Sequence, residues 1–410
     1  MTMEPPKRIQ LIDPGPLLRW LETSPKSVSL SDIEIAEIWA LVALGALARR
    51  EQAHALEVVP APTSPSSRFA YAVGLDDLVQ GKPQVSRGEP GRTHKLTRIV
   101  KFEHIERNAD EISKLLIPDD RQRDTQRTLY YVIVELLRNA LQHSRDKLGG
   151  VIAAQRNDRG RNWNKPVIQV AVADTGIGIL EHLKTSHPQL QDAQEALDKA
   201  LWPHVSGTFE FGLTGTAENA GMGLFFIAEM AKLTAGTLVL ASRGATLLLD
   251  GDPEFEGHHR LEFVQPRGTG YPGTLVAFEL PTDAVEDYNA LIERIRELAR
   301  ERTPRRATHR WMRYEPPPAD AQEFLVNVGV EDTKKAMQVA TETLIPWLVQ
   351  RRTIVLNFRG MEICTQSYLH ALLFEPLRMA WALRIPIYVS NVQPGVRSNL
   401  ELLENYALGG

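Results

Sequence analysis

The nine residues AVADTGIGI, positions 171–179, narrow the fold of this chain more than any other segment. The stretch Val167 to Ala173 is rich in β-branched residues and reads as a strand. It runs into Asp174, and Gly176 and Gly178 follow one residue apart. A carboxylate fixed at a strand end accepts hydrogen bonds from an amino group, and glycines beside it let backbone pass close beneath a flat ring. A Rossmann turn needs a third glycine and a helix directly after the turn, and we expect neither here.

Three further segments carry polar groups or glycines on regular elements. Asp124 to Leu148 reads as one helix, with Leu129, Val132, Ile133, Leu136, Leu137 and Leu141 recurring at three-to-four spacing. Within it, Glu135 and Asn139 in VELLRNALQHS lie four residues apart and share a face. An acid and a carboxamide so placed suit a hydrated Mg²⁺ and a nucleophile, since Mg²⁺ takes oxygen ligands and keeps several waters. Downstream, NAGMGLFFIAEMAKL sets Gly221 and Gly223 at the start of an apolar helix, where free backbone amides suit a triphosphate. Finally, Gly273 and Thr274 lead GTLVAFELP into a late strand. Singly, each is an ordinary turn glycine or an exposed helical pair; their order and spacing are not ordinary.

In that order the four segments resemble the N, G1, G2 and final-strand boxes of the GHKL superfamily of Bergerat-fold ATPases and kinases. That superfamily includes histidine kinases, anti-sigma-factor serine kinases, type II topoisomerases, mismatch-repair ATPases and heat-shock chaperones. The resemblance covers about Arg92 to Pro281, and no Walker A lysine motif competes with it. It implies ATP and Mg²⁺ as cofactors. Glu135 would polarise the attacking water or hydroxyl, Asn139 would coordinate Mg²⁺, and Asp174 would recognise adenine. Gly176 and Gly178 would bound the adenine pocket, Gly221, Met222, Gly223 and Leu224 would cradle the phosphates, Thr274 would support the base, and His143 would take the phosphate side. A lid over about 182–220, including the Gly/Thr-rich SGTFEFGLTGTAENAG, would close on nucleotide. The fold class expected is α+β, a central Bergerat α/β sandwich with helices on one face of a mixed sheet.

A chain of 410 residues exceeds one compact core and fits two or three domains. We expect an N-terminal α/β region over 1–88, the GHKL domain over 89–285, a basic helical linker over 286–318 and a further α/β domain over 319–410. The first region reads as a helix from Leu17, a strand Val28 to Leu30, a helix Asp32 to Arg50 capped by Ser31 or Asp32, a strand Ala55 to Val59 and a helix Ser66 to Val79. The last reads as strand Phe324 to Val328, helix Asp332 to Gln350, strand Thr353 to Phe358, helix Gln366 to Leu383, strand Ile387 to Ser390 and helix Val396 to Leu403, with parallel pairing. It resembles the STAS-like domain of anti-anti-sigma factors, most closely in VLNFRGMEICTQSYLHALL. In that family a Ser or Thr at the helix start is phosphorylated by a GHKL serine kinase. Thr365 and Ser367 hold that place, and either cap the helix or accept phosphate. The N-terminal SVSLSDIEIAEIWALVALGALARREQAHALEVVPAP echoes the same strand, helix, strand order, as shared architecture or as coincidence.

Other classes fare less well. With a net charge of −4 the chain has no global pull toward nucleic acid or membrane. The basic stretch Arg294–Arg313 is a solvated helix and linker, a contact for nucleic-acid phosphates, or a reach toward ATP on a neighbouring chain. A single cysteine, Cys364, excludes an internal disulfide and any cysteine-based metal site, and fits a reducing compartment. MTMEPPKRIQ lacks the apolar core of a signal peptide. The apolar run Ile35 to Leu47 is too short to span a bilayer and contains Glu37, so a cytoplasmic protein without membrane contact is expected. The nearest phosphoacceptor histidine, His104 in KFEHIERN, lacks the Thr-Pro that commonly follows one. These features point to a Mg²⁺-dependent ATPase acting as a switch in bacterial signalling or anti-phage defence, read out by a protein partner or second protomer. The alternatives are a serine/threonine kinase acting on a STAS-like segment and a non-hydrolysing nucleotide-sensing scaffold.

Overall fold

The computed structural model describes residues 4–50, 55–59, 64–89, 91–158, 166–185, 187–188, 190–203, 205, 222–251, 259–302, 311–326 and 332–408. They divide into two compact units, one of Met1–Lys184, Gln189–Lys199 and Ile227–Glu286, the other of Thr185–Pro188, Ala200–Phe226 and Asp287–Gly410.

The first unit opens with β1 (Arg8–Ile9), α1 (Gly15–Glu22), β2 (Ser27–Ser29), β3 (Ile35–Ala36), α2 (Ile38–Ala48), β4 (Glu57–Val59), α3 (Pro65–Ala72) and α4 (Leu75–Val79). β1 pairs with β3 and β2 with β4, both in parallel. The expected strand, helix, strand order around α2 is present, but the helix starts later than its polar residues suggest. Ser31 and Asp32 sit in a 3-10 turn, and Glu37 precedes Ile38. Ile38 through Leu47 are all buried, as befits a helix apolar on every side. Gly74, at φ +78°, splits what reads as one helix into α3 and α4.

There follow β5 (Thr93–Ile99), α5 (Ile105–Leu116), α6 (Arg123–His143), β6 (Gly150–Asn157), β7 (Val167–Asp174), α7 (Ile179–Leu183), α8 (Ala193–Ala200), α9 (Gly223–Leu233), β8 (Thr237–Ser242), β9 (Ala245–Gly251), β10 (His259–Phe263) and β11 (Thr274–Pro281). One seven-stranded sheet runs β10-β9-β8-β11-β7-β6-β5. Every neighbouring pair is antiparallel, so the expected mixed sheet is not found. The connectivity accounts for this. Two helices lie between β5 and β6 and bring the chain back at the same end, with Ile99 opposite Gly150, and the β6–β7, β8–β9 and β9–β10 neighbours follow one another directly.

Nor are the helices confined to one face. α6 packs on β6 and β7, with α5 beside it. α2 packs on the same two strands, in a core shared with Val151, Ala153, Ala171, Ala173 and Tyr271. Side chains alternate along a strand, so Ala171 and Ala173 face α2 while Val170 and Val172 point the other way. The region 1–88, expected as a separate α/β region, therefore covers the second face of the sheet and shares one core with it. A helix also follows the glycine turn directly, since α7 starts immediately after Gly178, contrary to expectation. The sheet around it is antiparallel, so the turn is still not a Rossmann crossover.

The second unit contains α10 (Tyr288–Arg302), β12 (Met312–Arg313), β13 (Gln322–Leu325), α11 (Thr333–Val339), α12 (Ile345–Val349), β14 (Ile354–Asn357), α13 (Gln366–Leu383), β15 (Ile387–Ser390) and α14 (Pro394–Leu408), with a π-helical turn at Ala340–Leu344. Its sheet, β12-β15-β14-β13, is parallel throughout. The stretch expected to be a linker is largely structural. α10 packs on α14, and fully buried Arg296 donates to Asn399 Oδ1 from Nη2 (2.7 Å) and to the Gly395 carbonyl (2.7 Å). β12 forms an edge of the sheet, anchored by the Trp311 indole donating to Ile385 O at 2.6 Å. Of the arginines in the expected basic helical linker, Arg294 pairs with Glu297 (3.0 Å), Arg296 is interior and Arg302 lies 5.6 Å from the Phe225 ring centre. Residues 303–310 lie outside the described residues. No described helix is long and apolar enough to cross a membrane.

Candidate functional site

The candidate site is built around the end of β7, where Asp174 is carried into the interior by a strand buried along its whole length. Its Oδ1 accepts the Gly176 N–H at 2.9 Å, and the backbone of Thr274, its register partner on β11, also bonds the carboxylate. Burial is the largest influence on this group and, with Asp146 adding to it, pushes the Asp174 carboxyl up to about 7. The two backbone donors and Arg243 pull the other way and do not prevail. A carboxyl balanced in this way responds strongly to one further donor, such as the exocyclic amine of a base.

The turn after Asp174 is fixed from several sides. A Cβ at Gly176 would lie 2.0 Å from the Ser144 carbonyl oxygen, so only glycine fits. That same carbonyl accepts the Ile177 N–H at 2.9 Å. Asp146 Oδ2 accepts both the Thr175 N–H (2.8 Å) and its hydroxyl (2.7 Å). The Arg243 guanidinium donates to Gly176 O from Nη2 (2.8 Å) and Nε (3.1 Å). Gly178 takes φ +82° ahead of α7, where Ile179 N–H donates to Ser242 Oγ at 2.9 Å. Sequence reasoning missed Ser144, Asp146, Ser242 and Arg243. The available signal was their position in polar corners, the SRDKLGG after α6 and the SRG between two apolar strands.

Glu135, Asn139 and His143 recur at four-residue spacing along α6. Glu135 is fully buried and lies 3.2 Å from the equally buried Arg138, an ion pair not foreseen from the sequence. Asn139 is partly exposed. A carboxamide on a partly exposed residue suits Mg²⁺, which takes oxygen ligands and keeps several waters. Among the described residues no group of three or more His, Cys, Asp or Glu could hold a metal by itself. The His143 ring sits 4.3 Å from that of His182. Burial and then the His182 charge hold His143 well below its ordinary value, and burial holds His182 at about 4. Both rings are thus neutral at pH 7, so His143 can offer a hydrogen bond but no positive charge.

The phosphate-side glycines are only partly described. Gly223 opens α9 and Met222 is fully buried, its carbonyl accepting the Phe226 N–H at 2.9 Å. Met222 can therefore offer backbone only. Met222, Gly223 and Leu224 belong to the second unit, and Glu135, Asn139, His143, Asp174, Gly176, Gly178 and Thr274 to the first. Gly221 and residues 206–220 of the lid expected over about 182–220 lie outside the described residues. Thr365, the other expected site with Ser367, is fully buried and caps α13, its side chain accepting the Tyr368 N–H at 3.3 Å. Ser367 is 5% exposed. The phosphoacceptor role expected of these two residues is at odds with this arrangement, because neither hydroxyl is presented to a kinase while the first turn of α13 is closed.

Comparison with protein-family models, with curated proteins and with solved structures finds no match to this chain.

Proposed function

We propose that this protein binds ATP with Mg²⁺ in the manner of the GHKL superfamily and uses the nucleotide as a regulatory switch. The observation that carries this reading is the buried carboxyl of Asp174, flanked by a glycine turn that admits no side chain at Gly176. Asp174 accepts the adenine amine, and Thr274 and Gly176 orient the carboxylate through their backbone N–H groups. Asn139 would hold Mg²⁺ at the triphosphate end. ATP bound in this way supplies a transferable γ-phosphoryl group, and Glu135 stands on α6 as the base for the attacking water. Arg138 is its counter-charge. Hydrolysis is favoured over transfer to Thr365, whose hydroxyl caps the first turn of α13.

Incubation with γ-labelled ATP tests the reading. Free labelled phosphate that disappears in Glu135→Gln supports an ATPase. Label retained on protein means a kinase, and selective ATP binding without release of label means a nucleotide sensor. Failure of the wild-type protein to bind ATP in calorimetry would sink the site assignment.

A further inference from the structure

The segment Gly270–Thr274 stands between the N-terminal residues and Asp174, and it is bonded on both sides. From the N-terminal side, Glu22 Oε1 accepts the Gly270 N–H at 2.9 Å, and Arg50 Nη2 donates to Pro272 O at 2.7 Å. The fully buried Tyr271 donates its hydroxyl to Ala43 O of α2 at 3.0 Å. Upstream, Arg19 Nη1 donates to Gln265 O at 2.9 Å. These bonds join residues 222 to 248 positions apart. On the other side, Tyr271 N–H donates to Ser242 O at 3.2 Å, Ser242 Oγ donates to Gly273 O at 2.9 Å, and Thr274 bonds the Asp174 carboxylate. There is no slack between them, since a Cβ at Gly273 would sit 2.1 Å from the Asp174 carbonyl oxygen. Arg50 also lies within electrostatic reach of Asp146, which fixes Thr175 on the far side of Asp174.

Core filling alone does not explain this pattern. α2 is apolar on every side and needs no charge to stay buried, yet the chain brings the half-buried guanidinium of Arg50 to a single carbonyl next to Gly273. Withdrawing a charge from water carries a desolvation cost that an apolar residue would avoid.

We infer that the N-terminal segment is a positioning element for base recognition, with Arg50 and Tyr271 setting the placement of Gly270–Thr274 and through it the Asp174 carboxylate. The inference rests on the ATP-site reading above. It also makes α2 an input: whatever displaces the end of α2 changes nucleotide affinity without touching the nucleotide.

The test uses the full chain and Mg²⁺, titrated with ATP and separately with GTP, alongside thermal melts. Arg50→Ala should weaken ATP binding about tenfold, the loss of one charge-assisted hydrogen bond, and should lower the ATP-over-GTP preference by a similar factor. Arg50→Lys should restore part of both. Val28→Ala, which thins the same core away from this route, should lower the melting temperature and leave the preference intact. Should Arg50→Ala fail to melt cooperatively, Tyr271→Phe asks the same question by removing one hydroxyl from a retained ring. Wild-type affinity and preference in folded Arg50→Ala and Tyr271→Phe would overturn the inference while leaving the site reading intact. A wild-type chain that binds neither nucleotide overturns both.

Discussion

The strand–helix–strand units β2–α2–β4 and β14–α13–β15 share a local design, each with its strands paired in parallel. Their fates differ. The second has a core drawn wholly from residues between Met312 and Leu408. The first has three-residue strands in a two-stranded sheet, too little to cover an apolar helix, and α2 is buried against β6 and β7 instead. Their helix starts differ too. Thr365 spends its hydroxyl on the first turn of α13, whereas Glu37 bonds outward, to the Leu11 N–H (2.9 Å) and the Gln169 amide (3.0 Å). One pattern therefore yields a self-contained body in one place and an accessory to a larger sheet in the other, and the number of flanking strands decides which.

The largest expected effect separates the two units outright. A fragment of residues 1–88 should show no cooperative thermal transition by circular dichroism, while 287–410 should melt cooperatively. A cooperative melt of 1–88 would break the comparison. Next come the cores. Trp39→Ala in α2 should cost about 3–5 kcal/mol and Leu372→Ala in α13 about 2–5 kcal/mol, both residues being fully buried. In calorimetry each should move only its own unit's transition.

At the site that α2 supports, Asp174→Asn should weaken ATP binding by about 1.5–3 kcal/mol, or roughly 10–150-fold. Its pH dependence has a definite sign. The folded carboxyl titrates near 7 against an ordinary 3.8, so the folded state holds a proton that the unfolded chain releases. The stability from this group is complete below the ordinary value and is lost as pH rises through about 7. ATP affinity should run the opposite way, rising with pH, because a bound amine favours the carboxylate. Asp174→Asn should flatten both profiles, and a steep profile surviving in that variant would rule out Asp174 as its source. Smallest is Thr365→Ala, about 1 kcal/mol in denaturant titration for a lost cap. Incorporation of γ-label at Thr365 would show that the turn opens and would revive the kinase reading.

Local features were legible in the sequence where short-range physics governs them. Gln366–Leu383 and Ile387–Ser390 appear with the bounds expected from periodicity and turn residues. The same holds for β11 and for Asp174 at its strand end. What could not be read depends on contacts distant in sequence. The home of α2 depends on β6 and β7, the lowered His143 imidazole on its burial and then on His182, and the burial of Arg296 on Asn399. The antiparallel order of the seven strands is likewise a property of their connections, which the strands' own composition does not carry.

Gly176 has a bearing on how variation in this protein should be interpreted. Its hydrogen faces a carbonyl at a spacing no methyl group could share. In a library of random codons, position 176 would return glycine under selection for folding alone, even in lineages that had abandoned nucleotide binding. Position 174 would drift in those same lineages, because its acid raises no comparable steric bar. Permanence at the glycine thus reports architecture, and permanence at the aspartate reports use.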